Sequence, residues 1–246
     1  MQQEEGACVN ELIRTLIETG ILAGLGLAGA LVFRSSFRWQ WLVAALVLNL
    51  VYQALLTRGF WMIPDLLTGA DWNWAGKLAA IAGTLAVMAL PAFGWKRCGM
   101  TFDQGPRWGG AIVMFAGLAL LFFGLAISGA DGKPDSLETI AFQWTMPGLD
   151  EELFYRGTLL LALNESFRSK SNLLGAPIGY GGLLTTILFG LTHALSYKAG
   201  VVDFDLMTFA MTGVPSFLLL WLRERTGSLL LPVVAHNIAN GAFTLF

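Results

Sequence analysis

The sequence predicts an all-α, polytopic membrane bundle of about eight transmembrane helices. Three observations lead there. The 246 residues are 55% apolar and only 13% charged, with a mean hydropathy of +0.63, whereas a soluble domain carries about 25% charged residues. Apolar stretches of roughly 17–25 residues recur, long enough to cross the hydrocarbon layer. The short segments between them hold Lys and Arg unevenly, as membrane loops do.

Helices are expected at about 12–33, 40–57, 77–95, 109–129, 137–164, 176–196, 206–222 and 228–246. The first carries Gly24, Gly26 and Gly29, which favour close helix packing. In the second, Asn49 and Gln53 lie one turn apart and read as interhelical hydrogen-bonding residues. Pro147-Gly148 should break or kink the fifth. The sixth and seventh are rich in Gly and Thr, and the eighth opens after Arg225-Thr226-Gly227. The organisation is a single membrane domain: N-terminal helices over 1–135 and a core bearing polar motifs over 136–246.

Loops after odd-numbered helices hold nine basic residues: Arg34, Arg38, Lys96, Arg97, Arg107, Arg168, Lys170, Arg223 and Arg225. The opposite side holds five: Arg14, Arg58, Lys77, Lys133 and Lys198. The positive-inside rule then puts the odd loops in the cytoplasm and both termini on the non-cytoplasmic side. The membrane would be the plasma membrane if the source is prokaryotic. Eleven acidic residues, Glu4, Glu5, Asp65 and Asp131 among them, follow the outer side. Tryptophans suggest two interfacial belts: Trp39, Trp41, Trp95, Trp108 and Trp221 at the inner ends, and Trp61, Trp72, Trp74 and Trp144 at the outer.

Met1–Val9 is acidic where a cleavable secretory signal would be basic, so the first helix is expected to stay. Cys8 and Cys98 fall on opposite sides, which argues against a disulfide. A net charge of −2 without a basic tract points away from nucleic acid.

Three polar islands interrupt the apolar C-terminal half. Ionisable groups in spanning helices are costly and usually mark a functional site facing the bundle interior. The first island is Asp150-Glu151-Glu152-Leu153-Phe154-Tyr155-Arg156. Glu152 and Arg156 share a helix face in the favourable acid-first order, which predicts an ion pair. Glu151 is turned away and left spare, and a spare buried carboxylate can exchange protons as a general base must. The second island ends at His193, one turn after Phe189, whose ring would wall a pocket. In the third, His236 and Asn240 are one turn apart and can donate hydrogen bonds to a common oxygen, as an oxyanion hole requires. No H-E-x-x-H zinc signature occurs. Glu151, His193 and His236 could still ligate zinc if the fold brings them together.

In this order, the islands resemble the CPBP family of membrane proteins. That family includes CAAX prenyl proteases of the Ras-converting type and bacteriocin-processing or abortive-infection-related members. Glu151-Glu152-Leu153-Phe154-Tyr155-Arg156, followed by Gly157, matches its E-E-x-x-x-R motif. Phe189 to His193 matches F-x-x-x-H, and His236 with Asn240 matches the third motif. The resemblance covers roughly residues 140–246. It implies peptide-bond hydrolysis in a membrane-embedded cavity, on a membrane-associated peptide or protein. Glu151 and His193 would activate water, and His236 and Asn240 would stabilise the oxyanion. Glu152, Arg156 and Phe189 would support them. The family has been read both as zinc-dependent and as glutamate-dependent without metal. Two other classes of function compete with the peptidase: a non-catalytic subunit or scaffold of a larger membrane complex, and a proton-coupled transporter using the same residues as a relay. The halves show no inverted repeat, a feature many transporters have.

Overall fold

Helices account for most of the computed structural model, in the order α1 (Gln2–Val32), α2 (Trp39–Leu56), α3 (Trp74–Met88), α4 (Trp108–Ser128) and α5 (Leu137–Gln143). A π-helical segment, Gly148–Leu159, runs straight into α6 (Leu160–Ser166), and α7 (Tyr180–Ala194), α8 (Leu206–Thr226) and α9 (Leu230–Gly241) complete the set. A 3₁₀ turn, Ala242–Thr244, comes after α9. The structure describes all residues except Met1, Asp65, Leu66, Thr68, Arg107 and Asp131, and leaves the side chains of residues 2–7 undescribed. Arg107, Asp65, Asp131 and the side chains of Glu4 and Glu5, all used in the charge split, therefore lie outside the described residues.

Each of the eight expected stretches contains helix. Among the described residues, however, four helices are long and apolar enough to cross a membrane: Cys8–Val32, Trp39–Leu56, Trp108–Ser128 and Leu206–Thr226. They turn large apolar side chains outward, with Val32 and Leu120 each 75% exposed, Val113 73% and Met207 70%. Apolar surface this extensive needs lipid as its solvent.

The boundaries depart from expectation where local chemistry overrides hydropathy. The third helix stops at Met88 because Pro91 disfavours helical backbone just before it. The sixth starts only at Tyr180, since Ala176–Gly179 is instead a strand (β2) paired antiparallel with Lys170–Leu173 (β1). A second hairpin pairs Leu195–Lys198 (β3) with Val201–Phe204 (β4). Both turns have two central residues at positive φ, Leu174-Gly175 and Ala199-Gly200, the backbone that tight hairpins need. The fold is thus mainly helical with two small hairpins, not purely α.

The fifth expected helix breaks at Trp144-Thr145, just before Pro147-Gly148, and Pro147 falls in the first turn of the new winding, where its missing N–H is tolerated. Beyond the break the chain is wound more widely: the N–H of Leu160 reaches the carbonyl of Tyr155, five residues back. Tertiary contacts hold both ends of this winding. The Gly148 N–H donates to Asn237 Oδ1 at 2.7 Å, and a Cβ at Gly148 would press within 2.5 Å of that oxygen and of the Val233 carbonyl. Gly157 lets α3 approach, since a Cβ there would meet the Met88 methyl at 2.5 Å. The π segment is nearly all buried, enclosed by α2, α3, α6, α7 and α9.

Three of the tryptophans expected at the interface also make tertiary contacts. Trp221 is buried and donates to the Leu173 carbonyl at 3.0 Å. Trp72 and Trp74 contact Phe142, with centroids 4.8 and 5.1 Å away, because α5 folds back over the start of α3. Glu138 secures that fold-back by accepting from the Trp74 indole at 3.0 Å and from the backbone N–H of Asp71 and Trp72. The Trp74 hydrogen bond, helped by those two amides, holds the Glu138 carboxyl below the usual glutamate range.

Candidate active site

The three polar islands come from different elements, and the fold brings them together. Glu151 and Glu152 lie early in the π segment, His193 in the last turn of α7, and His236 mid-way along α9. Glu151 Oε2 sits 3.9 Å from His193 Nε2 and 3.8 Å from His236 Nε2. That oxygen is buried and has no hydrogen-bond partner. These gaps are too long for direct hydrogen bonds and suit one small polar species bridging the three atoms.

The two imidazoles are oriented differently. His193 Nδ1 lies 2.8 Å from the Phe189 carbonyl, which can only accept, so Nδ1 carries the proton. In neutral His193 the lone pair of Nε2 then points at the gap. His236 Nδ1 lies 2.7 Å from Glu152 Oε1, so Nδ1 donates to the carboxylate and the ring is held in place by it. Phe189 touches both rings, at centroid distances of 4.6 Å to His193 and 5.9 Å to His236. It forms the wall expected of it.

Glu152 and Arg156 form the expected ion pair, 3.0 Å apart and almost completely buried. The guanidinium also donates to the Ser216 hydroxyl at 2.6 Å and carbonyl at 3.1 Å, and lies over the Phe189 ring at 4.5 Å. This network ties α8 and α9 to the π segment. Burial at such depth is tolerated only because both charges are partnered.

Glu151 is not spare. The Lys77 ammonium lies 2.7 Å from its Oε1 and 2.8 Å from Asp150 Oδ2. Tyr52 donates to the same Asp150 oxygen at 2.8 Å. The charge count assigned Lys77 to an outer loop, but its side chain is only 12% exposed. Helix α3 begins three residues earlier than expected, at Trp74, and this turns Lys77 inward against the π segment. One oxygen of Glu151 is thereby fixed and the other is presented to the histidines.

Asn240 donates to the His236 carbonyl at 3.2 Å, one turn back along α9. It lines a cavity of about 200 Å³ together with His193, His236, Phe122, Phe189 and Met211. The cavity lies between α4, α7, α8 and α9, and apolar side chains dominate its walls.

Zinc does not fit these side chains as they stand. Among the described residues, no three His, Cys, Asp or Glu side chains group closely enough to hold a metal ion. The Lys77 ammonium already occupies one oxygen of Glu151, and a second cation beside it would be repelled. The residues expected as zinc ligands, Glu151, His193 and His236, meet around Glu151 Oε2, while the other Glu151 oxygen is taken by Lys77.

Comparison with known proteins bears on the same cluster. Residues 133–242 match the family model described as type II CAAX prenyl endopeptidase, Rce1-like. Over these residues the chain is similar to the Rce1-like family. No curated protein and no solved structure matches it. The Rce1-like stretch takes in α5, the π segment and all three polar islands, ending within the turn after α9. Lys77, Tyr52 and Arg14, which meet the site from α1–α3, lie outside it.

Three contributors escaped the sequence reading. Lys77 gave a signal, being a lone cation in an otherwise apolar helix start. Asp150 stood in the first island without an assigned partner. Ser216 gave none, because a serine in an apolar helix is ordinary.

Proposed function

We propose that the chain is an intramembrane endopeptidase that hydrolyses a peptide bond of a membrane-associated peptide or protein. One observation supports this above all. Glu151 Oε2, buried and unpartnered, faces two imidazole nitrogens at 3.8–3.9 Å beside a cavity large enough for a peptide side chain. A water in that gap can donate one proton to Glu151 Oε2 and the other to His193 Nε2. Its oxygen lone pair is then directed at a substrate carbonyl in the cavity.

As the water oxygen bonds to the carbonyl carbon, one of its protons passes to Glu151. His236, oriented by Glu152, and the Asn240 carboxamide donate hydrogen bonds to the developing oxyanion. When the C–N bond breaks, Glu151 delivers the proton to the leaving amine. Lys77 keeps the glutamate ionised at the start of each cycle. Arg156 and Glu152 keep His236 in register with Glu151. The apolar cavity walls suit a peptide with apolar residues or an attached lipid beside the cleaved bond.

The first test is cleavage by purified protein in detergent or vesicles, with prenylated and unprenylated forms of a C-terminal peptide. Cleavage of neither, by protein of intact fold, contradicts the proposal. Asn240→Ala should lower turnover by about 10²–10³-fold, the usual loss for one oxyanion donor. Its melting temperature should be unchanged, since only a weak hydrogen bond within one helix is lost. Strong chelators should leave cleavage intact, and restoration by zinc after chelator loss would return metal to the mechanism.

A further inference from the structure

A second cavity, of about 150 Å³, adjoins the site and shares His193 with the first. It lies between α1, α2, the π segment and α7, where α1 begins and α2 ends, and its lining includes Glu151, Arg14, Gln53, Tyr155 and Thr192. Gln53 is fully buried, and neither its amide nitrogen nor its oxygen has a partner among the described residues. Asn49, one turn earlier, instead donates to Thr19 Oγ1 at 2.9 Å. Of the two amides expected to join helices, only Asn49 does so. Arg14 reaches the same cavity, donating from Nη1 to the Thr192 carbonyl at 3.0 Å, and its Nε is also unpartnered.

Leaving both ends of a buried carboxamide dry costs several kcal/mol in an apolar medium, so a polar cavity of this size should hold water. It has room for several molecules at about 30 Å³ each, and Gln53, Arg14, Tyr155 and Thr192 supply the two to four partners each water needs.

We propose that this chamber is a water-binding site that supplies the hydrolytic water to Glu151, from the far side of His193 relative to the peptide cavity. Gln53 is its positioning residue: it retains water within reach of the gap at Glu151 Oε2. A bilayer-embedded hydrolase needs such a store, because substrate seated in the apolar cavity closes the other approach. The inference rests on the peptidase reading, but the occupancy of the chamber can be measured without any cleavage assay.

Two measurements test it, both on the full chain in detergent. In a background with Cys8→Ser and Cys98→Ala, Gln53→Cys and Asn49→Cys are treated with a small cationic methanethiosulfonate. Only a hydrated thiolate reacts with it. Modification at position 53 at least about tenfold faster than at 49 is expected from their different surroundings; equal, slow rates at both positions overturn the chamber. The second measurement is turnover of Gln53→Leu, which fills the space with an apolar side chain. Its kcat is expected to fall by about tenfold or more, with KM and melting temperature retained. Wild-type kcat in folded Gln53→Leu overturns the supply role even if the chamber is wet. If Gln53→Leu does not fold, the labelling ratio decides alone. Loss of the peptidase reading would instead appear as absence of cleavage by folded wild-type protein, with the labelling result unaffected.

Discussion

Replacing Glu151 with Gln is expected to lower peptide hydrolysis by about 10²–10⁴-fold, the range for loss of a general base. The substitution is nearly isosteric. A carboxamide oxygen can still accept from Lys77, now 2.7 Å from Oε1, so the π segment should keep its place. The carboxamide cannot take a proton from water, and its NH₂ would present donors to the gap between His193 and His236. Binding of substrate in the adjoining cavity should change little, so the loss should appear in kcat more than in KM. Steady-state kinetics with a matched thermal melt measures both, and turnover within a few-fold of wild type would remove Glu151 from the chemistry.

The second large effect is on stability. Arg156→Ala should destabilise the protein by about 3–5 kcal/mol, the cost of stranding one charge of a buried pair. Glu152 and Arg156 are respectively 0% and 1% exposed, so water cannot take over the solvation of the remaining carboxylate. Ser216 also loses its donor, and Phe189 loses the cation over its ring. Total stabilities are commonly only about 5–15 kcal/mol, so much of the margin is at stake. Denaturation in detergent should give a clearly lower midpoint for the variant. An unchanged midpoint would mean that the network is not what holds α8 against the π segment.

The fold was legible where physical pattern and structure share one cause. Long apolar runs became α1, α2, α4 and α8, because lipid demands that composition. Glu152 with Arg156, Phe189 with His193 and His236 with Asn240 could be read from helical spacing, which fixes shared faces. The features that escaped depended on contacts between distant segments. The hairpin turns at Leu174-Gly175 and Ala199-Gly200 lack the Asn or Asp that usually marks positive-φ turns, so each read as part of a helix or loop. The wide winding of Gly148–Leu159 draws on partners such as Asn237, which no local window contains.

Lys77 is the instructive error. Counting loop charges is sound for orientation, yet it treats every cation near a helix end as solvated. Lys77 lies three residues inside α3 and pairs with two carboxylates 73 and 74 positions away. The same omission made Glu151 appear spare. It is partnered through Oε1 and free through Oε2, and this division is what lets it be both held and available.

Catalysis by this site requires that Glu151 and His193 act as one unit on one water. A kinetic double-mutant cycle tests that requirement most directly, using Glu151→Gln, His193→Ala and the double variant with a single peptide substrate. Groups that share one step are strongly non-additive. The double variant is therefore expected to turn over no more slowly than the slower single variant. Losses that multiply, so that the double variant falls by the product of the two, would contradict the shared step, because the two residues would then be serving separate events.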